Sequence, residues 1–179
     1  MTLLVIYLLL TLILSFMCSL LEATLLSSTS SYIESLDKKG YSPKTVDLAK
    51  DVKQNIDKSI SSILTLNTFA NTMGAAGVGA QAAIIFGSNW QAVIAFILTL
   101  MVLFISEIFP KTVGAIYWRK FIVPAVYIIS FMVKITYPFI FLATFITNTL
   151  QKGRKNEVNF SKDEIITIVN MSEKEGVLQ

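Results

Sequence analysis

The 179-residue chain has no histidine and a single cysteine, Cys18. An internal disulfide, a Cys/His zinc site and any catalytic group built on histidine are therefore excluded. Charge is scarce as well. Asp, Glu, Lys and Arg make up 15% of the chain, against about 25% in a soluble domain, and hydrophobic residues make up 54%. That is the composition of a membrane protein. The net charge of +3 is small, but its distribution is informative. From Ser59 to Pro110 there is no Lys or Arg, and the only acid is Glu107. From Met1 to Ile33 the only charged side chain is Glu22. Each carboxylate stands alone in apolar sequence and requires a reason to be there.

The apolar runs predict an all-α membrane protein. A first span over about residues 2–26 is long enough to tilt across roughly 30 Å of hydrocarbon. A signal peptide would need a positive n-region and a small-residue cleavage site, and neither is present. A second span is expected over about 59–86 and a third over about 90–109, joined by a tight turn at Gly87-Ser88-Asn89. Between the first two, residues 34–58 carry six lysines among five acids. This stretch reads as one or two amphipathic helices broken at Gly40-Tyr41-Ser42-Pro43. The positive-inside rule makes it cytoplasmic and the N-terminus external, so the chain is expected to be multi-pass in the plasma (inner) membrane with a cytoplasmic C-terminus.

Within the belt region 119–150, residues 121–150 invite a fourth span, but Lys134 lies mid-stretch and Pro124 and Pro138 interrupt the helical ladder. A crossing would also place Lys152, Arg154 and Lys155 outside. A Pro-broken juxtamembrane belt with Arg119, Lys120 and Lys134 at the headgroups fits better. Residues 1–150 are thus expected to form the transmembrane domain. Residues 151–179 read as the start of a cytosolic helical linker, opened by the Ser161-x-x-Glu164 capping box, leading towards something larger.

Polar residues inside the spans fall on helical faces. Ser15, Ser19 and Glu22 are spaced i, i+4, i+7 on the first, and Asn67 and Asn71 are spaced i, i+4 on the second, with Gly74 one turn on. The third ends Ser106-Glu107-Ile108-Phe109-Pro110-Lys111, where Pro110 deprives the carbonyl of residue 106 of its helical partner. Three helices each offer oxygen, and all-oxygen ligation suits a hard cation: Mg²⁺, Ca²⁺ or Na⁺. The competing reading is interhelical hydrogen-bond glue, with Glu107 simply paired to Lys111 four residues on. The small-residue run Gly74–Ala80 suits close helix approach, either within one chain or between two.

These segments resemble the CorC/CNNM (cyclin M) family. Ser15-x3-Ser19-x2-Glu22-Ala-Thr-Leu is similar to its first-helix pattern, Leu66-Asn67-x3-Asn71 to its Gly-Asn-x3-Asn, and Ser106-Glu107-Ile108-Phe109-Pro110-Lys111 to its Gly-Glu-Ile-x-Pro-Lys. Asp163-Glu164-Ile165 and Glu173-Lys174-Glu175-Gly176-Val177-Leu178 resemble the run that leads to paired CBS domains. Leu66 and Ser106 stand where the family has glycine. The resemblance covers essentially the whole chain and implies a homodimer of three-span subunits that exports Mg²⁺ in exchange for Na⁺. It places the ion among Ser15, Ser19, Asn67, Asn71 and Glu107, with Glu22 nearby and backbone carbonyls around Leu66 and Ser106. The CBS domains, where the family binds ATP, do not fall within these residues.

The expected activity is alternating-access transport of Mg²⁺. A membrane-anchored Mg²⁺ sensor that does not conduct is the alternative, and a simple anchor the third. An enzyme is not expected, since no nucleophile or cofactor motif accompanies the carboxylates. Nucleic acid is not an expected partner either, because the basic residues alternate with acids or flank spans.

Overall fold

A computed structural model describes residues 1–151, apart from the side chains of Ser88 and of residues 140–151. The linker and its Ser161–Glu164 capping box lie outside the described residues. Every described element is helical: α1 (Thr2–Ser27), α2 (Ser30–Glu34), α3 (Pro43–Gln54), α4 (Ile56–Phe86), α5 (Ser88–Met101), a π-helical segment (Val102–Ile108) and α6 (Phe109–Gln151). Residues Met1–Leu142 form one compact unit. A second begins at Ala143, and its described residues are the end of α6. Three stretches are long and apolar enough to cross a membrane: Thr2–Ser27, Ile56–Phe86 and Asn89–Phe139.

Local chemistry accounts for the boundaries. No Gly or Pro interrupts the chain before Gly40, so α1 runs unbroken until Ser28 turns extended. The carbonyls left over at its end are taken up by a side chain from elsewhere. Lys53 on α3 donates from Nζ to Leu25 O at 3.2 Å and to Ser28 O at 2.6 Å, a cation at the negative end of a helix. Burial pushes this ammonium below the ordinary lysine range. The expected break between amphipathic helices lies where glycine and proline put it: Gly40 takes φ +78°, Ser42 caps α3 by accepting from Thr45 N–H, and Pro43 opens the helix. Gly87, at φ +86°, makes the turn between α4 and α5.

The core lies at one end of the bundle. Leu21 and Leu25 of α1, Ile33 and Leu36 around α2, Val46, Ala49 and Val52 of α3 and Ile63 of α4 are buried together with Ile122, Val126, Ile129 and Met132 of α6. The α6 residues recur at helical spacing, so the belt is the lid of this core. The far half of the bundle stays apolar on its outside; Met73, Ile84 and Phe96 are each about two-thirds exposed or more, the surface of a protein solvated by lipid.

The belt is not broken at its prolines. The backbone leaves helical values at Tyr117 (φ −103°, ψ 19°), while Pro124 and Pro138 sit inside α6. Each proline deprives the carbonyl four residues back, which belongs to Lys120 or Lys134. Both residues are exposed, so water or headgroups can satisfy those carbonyls and the helix continues.

Candidate metal centre

Close packing fixes the register of the three spans. A Cβ on Gly74 would fall 1.7 Å from Thr11 Oγ1, and one on Gly77 would fall 2.7 Å from the Tyr7 ring. Four residues back along α1 thus match three forward along α4, so these helices run antiparallel. Followed the other way, Leu14 and Cys18 share an apolar cavity of about 300 Å³ with Ala70 and Leu66. The same ladder brings Ser15 to the level of Asn71 and Ser19 to that of Asn67. The glycines of the 74–80 run that meet α1 therefore serve packing within the chain.

The third span runs parallel to α1. Phe16 packs on Phe109 with centroids 6.3 Å apart, and a Cβ on Gly114 would meet Leu20 O at 2.7 Å. Ser106 and Glu107 fall back from there to within a turn of Ser15. They lie in the π-helical segment, where Phe109 N–H reaches five residues back to Phe104 O. Widening the ladder just before Pro110 relieves the clash of its ring with the preceding turn. In this register the carbonyl that Pro110 leaves without a donor is that of Ile105; in an ordinary α-helix it would be that of Ser106.

Side-chain bonding at this level is sparse. Asn71 Nδ2 donates to Asn67 Oδ1 and to Glu107 Oε1, both at 3.4 Å, the long end of hydrogen-bond geometry. Asn71 Oδ1 is buried without a partner, as are Ser15 Oγ, Ser19 Oγ, Ser106 Oγ and Thr24 Oγ1. This is unlike seven other hydroxyls in the helices. Thr11, Ser62, Thr65, Thr68, Thr99, Thr112 and Thr136 all bond back to the carbonyl four residues before, the usual refuge of a hydroxyl in an apolar helix. The bundle thus gathers oxygens on three helices that take neither a neighbour nor their own backbone. A cavity of about 370 Å³ lies alongside, lined by Asn71, Glu107, Thr72 and Thr99 among apolar residues.

The remaining candidates are placed differently. Glu22, one turn beyond Ser19, forms an ion pair with Lys111 at 3.1 Å, Glu22 being 15% and Lys111 46% exposed. The simple pairing of Glu107 with Lys111 is therefore not the arrangement found, and the two carboxylates keep separate partners. Leu66 packs its side chain against the core and into the apolar cavity, so only its backbone could face an ion. Among the described residues no three Asp, Glu, His or Cys side chains cluster, so neutral oxygens dominate the set. Sequence reasoning missed Thr24, Thr72 and Thr99. Thr24 lies off the i, i+4, i+7 spacing and the threonines have no charge to mark them; the one signal was Thr24's place in the quoted first-helix pattern.

Comparison with known proteins identifies the family. Residues 5–179 match the family described as the cyclin M transmembrane N-terminal domain. The chain belongs to this family. Among its relatives, a UPF0053 protein of Synechocystis sp. is 28% identical over 162 residues, covering 90% of this chain and 46% of the relative. A UPF0053 protein of Haemophilus influenzae is 29% identical over 154 residues, covering 83% and 36%. The UPF0053 inner membrane protein YfjD of Escherichia coli is 29% identical over 122 residues, covering 65% and 28%. The chain thus spans less than half the length of these relatives. It is a multi-pass membrane protein of the cyclin M family.

Proposed function

We propose that this cyclin M domain carries Mg²⁺ across the membrane, exporting it in exchange for Na⁺ by alternating access. The observation that supports this most directly is the set of buried oxygens without partners on all three spans: Ser15 and Ser19, Asn71, and Ser106. A buried hydroxyl or amide oxygen left without a hydrogen bond costs about 1–3 kcal/mol, and a cation that ligates it removes that cost. Glu107, held among the described residues by one long bond to Asn71, supplies negative charge at the same level. Hard oxygen ligands and few full charges suit an ion that keeps part of its water shell, as Mg²⁺ does. Asn67 completes the layer on α4. Glu22 stands one turn further towards the α2–α3 end, on the path an ion would take to leave, and that end faces the cytoplasm in this reading. The working protein is a homodimer.

Binding and transport are tested together. Asn71→Ala and Glu107→Ala in the full-length protein are each expected to lower Mg²⁺ affinity at least tenfold by isothermal titration and to abolish Mg²⁺ flux, with folding and dimerisation kept. Normal affinity and flux in both variants would place the ion elsewhere. Intact binding without flux in the wild-type protein would instead support a Mg²⁺ sensor.

A further inference from the structure

A second cluster lies at the kink of α6, away from the polar layer. The Lys39 ammonium sits 3.6 Å from the centroid of the Tyr32 ring. Tyr32 meets Trp118 edge to face with centroids 4.9 Å apart, and its hydroxyl donates to Arg119 O at 3.4 Å. The Arg119 guanidinium lies 5.1 Å from the Trp118 ring, and Lys120 lies 5.6 Å from the Tyr117 ring. Three cations are thus seated on aromatic faces at the one point where α6 departs from helical geometry. Glu34 and Asp37 are near in sequence, yet among the described residues none of the three cations forms an ion pair with a carboxylate. A ring face holds a cation without neutralising it. The charge is left available, in exposed positions, beside the exposed apolar side chains of Ile116 and Tyr117.

We propose that this cradle of Lys39, Arg119 and Lys120 around Tyr32 and Trp118 binds the phosphate headgroup of an anionic phospholipid, with Ile116 and Tyr117 against its acyl chains. Three uncompensated cations call for an anion, and adjoining apolar surface calls for one that carries hydrocarbon; a lipid meets both requirements where a free phosphate meets one. The kink places the cradle between the third span and the belt, so a bound lipid ties α2 to the start of the belt. This assignment does not depend on the cation reading of the polar layer.

Trp118 reports on the site directly once Trp90, the other tryptophan of these 179 residues, and any tryptophan outside them are replaced by Phe. This full-length protein, with Trp118 as its one tryptophan, is reconstituted in nanodiscs of phosphatidylcholine with a minor fraction of brominated phosphatidylglycerol or brominated phosphatidylcholine. At equal mole fraction the anionic lipid is expected to quench Trp118 at several-fold lower concentration. Each cation contributes on the order of a fivefold preference, so K39Q/R119Q should remove most of it. K134Q, which alters an exposed cation elsewhere on the belt, should keep it. Inorganic phosphate in excess should leave the quenching unchanged; relief by phosphate would assign the site to a free anion. Equal quenching by the two lipids in the parent protein, or a preference that survives K39Q/R119Q, overturns the proposal.

Discussion

Two kinds of buried hydroxyl stand side by side in these helices. Those of Ser62 and Thr136 are bonded to their own backbone at 2.8 and 2.9 Å; those of Ser15, Ser19 and Ser106 are not bonded at all. The two kinds should respond oppositely to alanine. Ser62→Ala removes a made hydrogen bond and should cost about 1 kcal/mol of stability while leaving Mg²⁺ affinity alone. Ser106→Ala removes an oxygen with no partner, so thermal stability without Mg²⁺ should hold or rise and the stabilisation by Mg²⁺ should shrink. Thermal unfolding with and without Mg²⁺ reads both effects. Glu22 presents a different case. Its partner Lys111 is nearly half exposed, so the pair contributes no more than about 1 kcal/mol, and a double-mutant cycle of E22Q with K111Q should give a coupling of that size. A coupling of several kcal/mol would mean that the pair is more deeply buried than the structure has it.

At the scale of elements, glycine and proline set how the helices approach and where their ladders change. Gly74→Ala would drive its methyl into Thr11, and overpacking of this kind costs about 1–3 kcal/mol. Thr11→Gly in the same chain should recover most of that, and absence of rescue would contradict the close approach of α1 and α4. Pro110→Ala restores an N–H and removes the ring, so the segment Val102–Ile108 can return to α register. That turns Glu107 away from Asn71, and Mg²⁺ affinity should fall with the fold intact. Lys53→Met leaves the Leu25 and Ser28 carbonyls without their donor and should lower the unfolding temperature, whatever the Mg²⁺ concentration. Hydropathy and helical spacing made much of this legible beforehand: the spans, the Gly87 turn, the break at residues 40–43, and the faces bearing Ser15, Ser19, Asn67 and Asn71. The π-helical register was not legible, because Pro110 announces a fault in the ladder without saying whether it kinks or widens. Nor was the partner of Lys111, since a spacing of four pointed to Glu107, whereas a contact across helices joins it to Glu22. The belt prolines misled for a related reason: a deprived carbonyl matters only if it is buried, and burial is decided by tertiary packing.

For the whole molecule, the buried core and the polar layer occupy different levels. The core of α1, α2, α3, α4 and α6 residues holds one end of the bundle together. The layer of Ser15, Asn71, Ser106 and Glu107 lies beyond it, where packing relies on glycine contacts and side-chain bonds are few. Such a division leaves one end rigid and lets the helices around the layer shift, as alternating access requires. The most direct test is Mg²⁺ flux from proteoliposomes of the full-length protein, followed with a fluorescent indicator with and without an opposing Na⁺ gradient. Flux should rise with the Na⁺ gradient and be lost in Asn71→Ala. Mg²⁺ release that is indifferent to Na⁺ and unchanged in Asn71→Ala would rule out Na⁺-coupled export through this layer.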